Sequence, residues 1–299
     1  MNLPITEAEF SDSAVLGAPE DIARSPWVVL KFGGTSVSSA ESWATIAGLV
    51  RNRLAAELKP VVVHSALQGV SNKLLAALQA AAAGERTGLV AEIREQHYEL
   101  ARQLGVDGPA LLNETLHELE QLIAGVRLVR EVSVRVHVRI MALGELMATR
   151  LGAEYLDKVG IPVEWLDARD LLISVSSGGG QRSRDYLSAK CASFADAAMQ
   201  ERLAASGKVI LTQGFIARNE WGETVILGRG GSDTSAAYFD VMASRGKATP
   251  RTDCRPAIGA SSVATRRRTG TSGMPAERTL SSSGSGGTIR PIFESTARS

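Results

Sequence analysis

The segment Trp27–Ser36 runs from an apolar strand directly into a glycine turn, an order that constrains the fold more than any other feature of the chain. Five of its first six residues are apolar. The exception is Lys31, a charged residue that is expected in a buried strand only when an anion can pair with it. Gly33 and Gly34 let the backbone turn sharply and approach a ligand closely. Lysine and bare backbone together predict a phosphate-binding site.

Two hydroxyl residues, Thr35 and Ser36, follow the glycines and add to the predicted phosphate site. A helix predicted from about Ser39 directs its N-terminal amides at the same place. The spacing matches neither the P-loop pattern GxxxxGKS/T nor the dinucleotide fingerprint GxGxxG, so the signature belongs to another family. The alternative is that Lys31 is an ordinary lysine at a strand end whose ammonium reaches solvent.

Composition argues against several classes of protein. With 299 residues and a net charge of +1, the chain is not built for nucleic acid or a membrane surface as its main partner. Its two cysteines, Cys191 and Cys254, favour a reducing compartment and lack metal-ligand spacing. Residues 1–25 lack the basic and apolar regions of a secretory signal, and no apolar run reaches the length of a membrane span. We expect a cytoplasmic protein with no metal site of its own.

Short β-branched runs alternate with longer helical patterns from residue 27 to about residue 240. This alternation predicts an α/β fold, a mostly parallel sheet covered on both faces in three layers, αβα. Strands are predicted at 27–32, 61–65, 162–166, 209–212 and 223–227. Helices are predicted at about 39–57, 72–83, 90–104, 109–124, 132–158, 183–205 and 232–243. Residues 214–222 are predicted to form a hairpin or loop that leads into the last strand.

The two ends of the chain differ from this central part. Residues 1–25 are polar and are predicted to be a disordered extension. From about residue 241 to residue 299 the apolar periodicity disappears, and beyond residue 246 eight arginines stand against one lysine. One interpretation is out-of-frame translation of a GC-rich gene, and the other is a genuine disordered basic tail. Either interpretation predicts a fold that is incomplete at its C-terminal end.

Three segments, in the same order along the chain, resemble the signatures of aspartokinases, members of the amino acid kinase family. They are KFGGTSV from residue 31, GELM from residue 144 and LGRGGSDTSA from residue 227. The stretches PVVVHSALQGVSN from residue 60 and VILTQGF from residue 209 also resemble family segments. The N-terminal extension and the VVVHSAL stretch are similar to the fused aspartokinase–diaminopimelate decarboxylase subgroup.

The resemblance implies the carbamate kinase-like fold of the amino acid kinases, with residues 26–240 as the catalytic-domain core and the regulatory ACT domains absent. The implied reaction transfers the γ-phosphate of ATP to the β-carboxylate of L-aspartate and gives 4-phospho-L-aspartate. This reaction is the entry to lysine, threonine and methionine biosynthesis through the diaminopimelate pathway. ATP and L-aspartate are the implied partners, Mg²⁺ arrives with ATP, and the sequence leaves a homo-oligomer open.

The resemblance also assigns roles to residues. In the catalytic pair, Lys31 stabilises the transferred phosphoryl group and Asp233 holds the lysine in place. Phosphate and ATP contacts are expected from the two glycine turns, at Lys31, Gly33, Gly34, Thr35, Ser36, Gly230 and Gly231. Substrate contacts are expected from Ser71, Glu145, Arg229 and Ser232.

Residue chemistry supports these substrate contacts and also offers alternatives to them. The planar guanidinium of Arg229 suits the α-carboxylate of an amino acid. By resemblance, Glu145 receives the substrate's amino group and Ser71 contributes a hydroxyl. A lone glutamate on a helix more often faces solvent, and Ser71, Ser232 or Asp233 could be plain helix N-caps.

Two other functions stay open. A chain without the rest of the family's sheet could be a truncated or frameshifted inactive fragment, serving at most as a binding or structural subunit. A kinase that acts on glutamate or acetylglutamate is the second alternative, although the GELM and GRGGSD segments disfavour it. A substrate panel would separate these cases.

Overall fold

A computed structural model describes residues 26–176, 182–191, 197–228 and 230–243, which belong to one compact unit. The strands are β1 (Trp27–Phe32), β2 (Lys59–His64), β3 (Val163–Trp165), β4 (Ser174–Val175), β5 (Lys190–Cys191), β6 (Val209–Gln213), β7 (Ile216–Arg218) and β8 (Thr224–Ile226). The helices are α1 (Ala40–Ala55), α2 (Val70–Ala82), α3 (Leu89–Leu104), α4 (Gly108–Val129), α5 (Val134–Lys158), α6 (Ala168–Leu171), α7 (Arg182–Leu187), α8 (Ala197–Ser206) and α9 (Gly231–Ala243). A short 3-10 helix occupies Gly34–Val37.

The central sheet has the strand order β1–β2–β6–β3, and every neighbouring pair in it is parallel. All five residues of β6 are buried, and in β2 only Lys59 is exposed. Such near-continuous apolar strands are typical of a parallel sheet covered on both faces. In the register of the sheet, Phe32 lies beside His64, and His64 lies beside Gln213. The carboxyl ends of β1, β2 and β6 therefore meet at one edge.

The helices that cover the sheet begin at recognisable capping residues. Ser39 caps α1 by accepting a hydrogen bond from the Ser42 amide at 3.2 Å, and Asp107 caps α4 in the same way. The longest helix, α5, begins after Ser133 and packs against β3 and β6, while α9 packs against β1 and β2. None of the helices in the described ranges has the length and apolar character that a membrane span needs.

The Trp43 side chain of α1 reaches helix α5 at one glycine, Gly152. A Cβ atom added to Gly152 would overlap the ring of Trp43 and lie 3.1 Å from Nε2 of His64. The Trp43 ring meets the His64 ring edge to face, with centroids 5.3 Å apart. This contact seats α1 and α5 against the end of β2, because only a residue without a side chain leaves room for the indole.

The predicted helix over 183–205 is wrong, because the structure contains α7, β5 and α8 in that stretch. Residues Lys190–Cys191 pair with β4, and the Cys191 amide donates to the Tyr238 hydroxyl at 3.1 Å. The Ala189 amide also donates to the Ile226 carbonyl at 2.9 Å. These long-range bonds interrupt a stretch that carries no glycine or proline to signal a break.

Smaller differences concern the last strand and the end of helix α4, and the two ends of the chain remain untested. The predicted strand over 223–227 exists as β8, but it pairs antiparallel with β7 and lies outside the parallel sheet. Helix α4 also ends at Val129, five residues beyond its predicted end. The predicted extension over residues 1–25 and most of the predicted tail lie outside the described residues, so both stay predictions.

Candidate active site

Three segments converge where β1, β2 and β6 end. The Ser65 amide donates to the Phe32 carbonyl at 3.2 Å, and the Gly214 amide donates to the His64 carbonyl at 2.9 Å. The turns that follow these strands therefore lie side by side. In open parallel α/β sheets, the crevice outside the carboxyl ends of the strands is where ligands bind.

Lys31 and Asp233 form an ion pair at this edge. Lys31 Nζ lies 2.7 Å from Asp233 Oδ1, with 19% of the lysine side chain and 69% of the aspartate side chain exposed. Lys31 is near the end of β1, and Asp233 lies in the first turn of α9. An ion pair that is exposed on one side adds little to stability, but it fixes the direction of the ammonium group.

The glycine turn after β1 packs tightly on one side and is open on the other. A Cβ added to Gly34 would lie 2.7 Å from the Ala66 carbonyl oxygen, whereas a Cβ added to Gly33 would have no neighbour within 4 Å. Ser38 Oγ donates to the Gly34 carbonyl at 2.6 Å and accepts from the Gln68 amide at 2.8 Å. The turn is thereby held against the loop that follows β2.

Three predicted phosphate residues of the first turn, Gly34, Thr35 and Ser36, lie in the 3-10 helix, and Gly33 is its N-cap. Thr35 is exposed and Ser36 is half-buried. The Ser36 amide donates to the Gly33 carbonyl at 3.0 Å, so the turn uses that amide itself. Helix α1 begins only at Ala40.

Glu145 is buried in the middle of α5, with 3% of its surface exposed. The Ala66 amide hydrogen-bonds to its carboxyl group, and Oε2 has no partner among the described residues. Burial raises the pKa of Glu145 to about 8, against the smaller opposing effects of the Ala66 amide and the Lys31 charge. The alternative that Glu145 faces solvent is therefore wrong. A buried oxygen without a partner is suited to bind a cationic ligand group.

The turn before α9 lies against the end of β6. Ser232 Oγ and Ser65 Oγ are 2.7 Å apart, and a Cβ added to Gly214 would lie 2.7 Å from Ser232 Cβ. Gly230 is exposed with φ of +70°, a conformation that favours glycine, and Gly231 is buried. The two serine hydroxyls link the loop after β2 to the start of α9.

None of the three residues proposed as possible N-caps is one. Ser71 is the second residue of α2, whose N-cap is Gly69, and its side chain is half-buried. Ser232 and Asp233 lie inside the first turn of α9, which begins at Gly231. Arg229 lies outside the described residues. The structure brings Lys31, Asp233, Glu145 and Ser232 to one edge of the sheet.

Sequence reasoning assigned no role to two buried polar residues beside this site, Gln213 and Thr149. Gln213 Nε2 donates to Thr149 Oγ1 at 2.9 Å. A signal for Gln213 was present, because it is a polar residue at the end of an apolar strand that leads into a glycine, much as Lys31 lies near the end of β1 two residues before Gly33. Thr149 carries a weaker signal: it lies one helical turn after Glu145.

The model of the amino acid kinase family matches residues 26–242, and the chain belongs to that family. Within the family it is similar to aspartokinases. Aspartokinase 3, chloroplastic, of Arabidopsis thaliana is 34% identical over 215 residues, which are 70% of this chain and 37% of that protein. The aspartokinase of Chlamydia trachomatis is 31% identical over 213 residues, 71% of this chain and 45% of that protein.

A solved structure gives the same result. E. coli aspartokinase III, in complex with aspartate and ADP, superimposes with a TM-score of 0.53 at 27% identity, covering 71% of this chain and 45% of that one. The chain thus spans less than half the length of these relatives. The recognition of an aspartokinase catalytic part and the predicted fold class are confirmed. The fused-decarboxylase subgroup stays a prediction.

Proposed function

We propose that this chain is the aspartate-binding part of an aspartate kinase and transfers the γ-phosphate of ATP to the β-carboxylate of L-aspartate. The observation that carries the proposal is the pairing of Lys31 with Asp233 at the same sheet edge as the buried Glu145. The Lys31 ammonium suits a phosphoryl anion, and the Glu145 carboxyl suits an ammonium. Relatives named as aspartokinases, and a neighbour bound to aspartate and ADP, support the choice of substrates.

The proposed reaction is an in-line displacement. An oxygen of the β-carboxylate attacks the γ-phosphorus and forms the new P–O bond, while the bond to the β,γ-bridging oxygen breaks and its electron pair leaves with ADP. Because both reactants are anions, catalysis depends on positioning and charge neutralisation. In the proposal, the Lys31 ammonium neutralises the transferred group and Asp233 directs that ammonium. Backbone amides and hydroxyls of the two turns bind the phosphates.

Substrate recognition is assigned to Glu145, Arg229 and two serine hydroxyls. Glu145 Oε2 accepts the α-ammonium of aspartate, which supplies the partner that this buried oxygen lacks. Arg229 takes the α-carboxylate through its planar guanidinium. Ser71 and Ser232 position the substrate with their hydroxyls.

Mg²⁺ enters the proposal as part of the nucleotide substrate. In the described part of the chain, no group of three or more His, Cys, Asp or Glu residues could hold a metal ion. We assign the ion to the phosphate oxygens of ATP because Mg²⁺ in phosphoryl transfer is usually held by substrate phosphates. ATP and L-aspartate are the proposed partners, and the cytoplasmic location stays a prediction from the sequence.

The test is aspartate-dependent ATP consumption by the full chain, with the acyl phosphate trapped by hydroxylamine. We expect hydroxamate from the wild type and a loss of about 100-fold or more in Lys31→Met, because a donor to the transferred phosphoryl group is removed. The matched control is Lys208→Met, an exposed lysine just before β6 at the opposite end of the strand, which should leave the rate unchanged.

Other outcomes would contradict the proposal. Faster turnover of glutamate or acetylglutamate than of aspartate would identify a different amino acid kinase. A folded wild type that forms no hydroxamate with any of the three would support the inactive-fragment alternative.

A further inference from the structure

We propose that Gln213 and Thr149 form a buried hydrogen-bonded link that positions the Glu145 carboxyl for the substrate ammonium. The inference rests on the role proposed for Glu145 and adds two positioning residues to it. In this proposal both side chains act through helix α5, and neither binds the substrate itself. The segment VILTQGF, which ends β6, thereby gains a function beyond its resemblance to other family members.

The link begins at the backbone of Glu145 itself. Thr149 Oγ1 donates to the Glu145 carbonyl oxygen at 2.9 Å, one turn earlier on α5. Gln213 Nε2 donates to the same hydroxyl at 2.9 Å, and Gln213 Oε1 accepts from the Ala168 amide at 2.7 Å. The side chains of Glu145, Thr149 and Gln213 are all buried. The bonds therefore run without interruption from α5 through the end of β6 to the first residue of α6.

The Thr149 hydroxyl uses its full hydrogen-bonding capacity in this link. A hydroxyl has one donor and two acceptor sites. Its proton points to carbonyls of α5, one lone pair receives Gln213 Nε2, and the other receives Trp165 Nε1 at 3.0 Å. The Ala168 N–H can only donate, so the Gln213 amide must present its oxygen there and its nitrogen to Thr149. Valine at position 149 would remove the acceptor of the buried Gln213 Nε2 and of the half-buried Trp165 Nε1, which is costly.

The other end of the link, at Gln213, lies next to the candidate site. Gln213 is followed by Gly214, which donates its amide to the His64 carbonyl and packs against Ser232. Ser232 in turn shares a hydrogen bond with Ser65. The link thus ties helix α5, which carries Glu145, to the end of β6, where Gly214 packs against Ser232.

Glu145 needs such support because its reactive oxygen has none of its own. Oε2 is buried and has no hydrogen-bond partner among the described residues, so the position of the carboxyl depends on that of α5 and on the Ala66 amide. A shift of α5 by roughly 1 Å would move Oε2 out of good hydrogen-bonding range of the ammonium. A link one helical turn away restrains this shift.

The test follows the Glu145 carboxyl directly, by ¹³C NMR of the full chain labelled at glutamate carboxyls, with Glu145→Gln to assign the resonance. In Thr149→Val we expect the midpoint of the Glu145 titration to fall by roughly one pH unit, because α5 loosens and water reaches the carboxyl. Thr149→Ser keeps the hydroxyl and should keep the wild-type midpoint. Gln213→Met removes the link from its other end and should produce the same fall, which covers the case that Thr149→Val does not fold.

The matched control is Thr45→Val. Thr45 lies on α1, is exposed, and donates to the carbonyl of Glu41 at 3.1 Å, the same bond within a helix but without a link behind it. We expect no change at Glu145 in this variant. An unchanged Glu145 midpoint in folded Thr149→Val and Gln213→Met, with only thermal stability lost, would overturn the proposal and leave a purely structural network.

Steady-state kinetics separates this inference from the proposed function. Thr149→Val should raise the KM for aspartate by about tenfold and leave the KM for ATP unchanged. An equal rise in both constants would contradict positioning of Glu145. If the wild type forms no aspartyl phosphate while the Glu145 midpoint still falls in both variants, the link stands and the proposed reaction is wrong.

Discussion

Two carboxyl groups, one beside helix α5 and one on it, differ in how their charge is compensated. Facing the first turn of α5, Glu223 accepts hydrogen bonds from Tyr186 and from Asn219 and pairs with Arg135 at 2.5 Å. These partners lower the pKa of Glu223 below its usual value. In the middle of the helix, burial raises the pKa of Glu145 to about 8, and one of its oxygens has no partner among the described residues.

The number of hydrogen-bond and ion-pair partners distinguishes a carboxylate with a structural role from a candidate binding group. Glu223 ties the β7–β8 hairpin to α5 and α7, and its charge is compensated in the protein itself. Glu223 also lines a cavity of about 630 Å³, yet its carboxylate is already engaged by Tyr186, Asn219 and Arg135. Ionisation of the buried Glu145 is unfavourable, and its Oε2 has no partner among the described residues, which supports the ammonium-binding role proposed for it.

The largest expected effect is on substrate binding by Glu145→Gln. An amide cannot provide the negative charge that pairs with an ammonium, so we expect aspartate-dependent activity to fall by about 100-fold or more. Glu223→Gln, the matched change at the engaged carboxylate, should stay within a few-fold of wild type. Initial rates of hydroxamate formation measure both. Equal losses in the two variants would break the comparison.

The second effect is a gain in stability in the same Glu145→Gln variant. The folded chain keeps the Glu145 proton up to about pH 8, whereas the unfolded chain loses it near the ordinary value of 4.5. The contribution of this carboxyl to stability is therefore complete below pH 4.5 and is lost as the pH rises towards 8. At pH 7 the glutamine variant should be more stable by up to about 3 kcal/mol.

Urea denaturation at pH 5 and at pH 7.5 tests this sign. The gap between Glu145→Gln and wild type should be wide at pH 7.5 and narrow at pH 5. A gap of the same size at both values would show that Glu145 is not held in its neutral form.

The smallest expected effect has the opposite sign and concerns Glu223→Gln. Because the pKa of Glu223 is lowered in the folded chain, its charge stabilises the fold above the unfolded value, and that stability is lost as the pH falls through the folded value. The variant should be slightly less stable at pH 7 and equal to wild type in strong acid. The effect is small because Glu223 is partly exposed. Thermal melts at pH 7 and pH 3 would reveal it, and a stabilised variant at pH 7 would contradict it.

Local rules predicted much of the sheet edge. The strand at Trp27–Phe32, its lysine and the glycine turn were all evident from residue types, because a buried charge before a flexible turn has few explanations. The same rules could not give the 2.7 Å contact between Lys31 and Asp233, which depends on α9 packing beside β1. The roles of these site residues stay predictions until they are tested.

Two other features were missing from the predictions, one of which had a local signal and one of which had none. Glu145 is buried because α5 lies between the sheet and helices α2 and α4, so residues 140–149 are covered on every side. A helix that is apolar all round is a buried helix, and the stretch IMALGELMA carried that signal. The break at Lys190–Cys191 had no local signal at all, since its partners lie on β4, β8 and α9.

The contact between Gly152 and Trp43 also limits how the sequence can change. A side chain at position 152 and the indole at position 43 would occupy the same space. Neither position can therefore vary alone. An alanine at 152 would first need a smaller residue at 43, and that change alone would leave a cavity beside His64. We expect homologous sequences to carry either the small–large pair or its exchange, and substitution of one position to be rescued by substitution of the other.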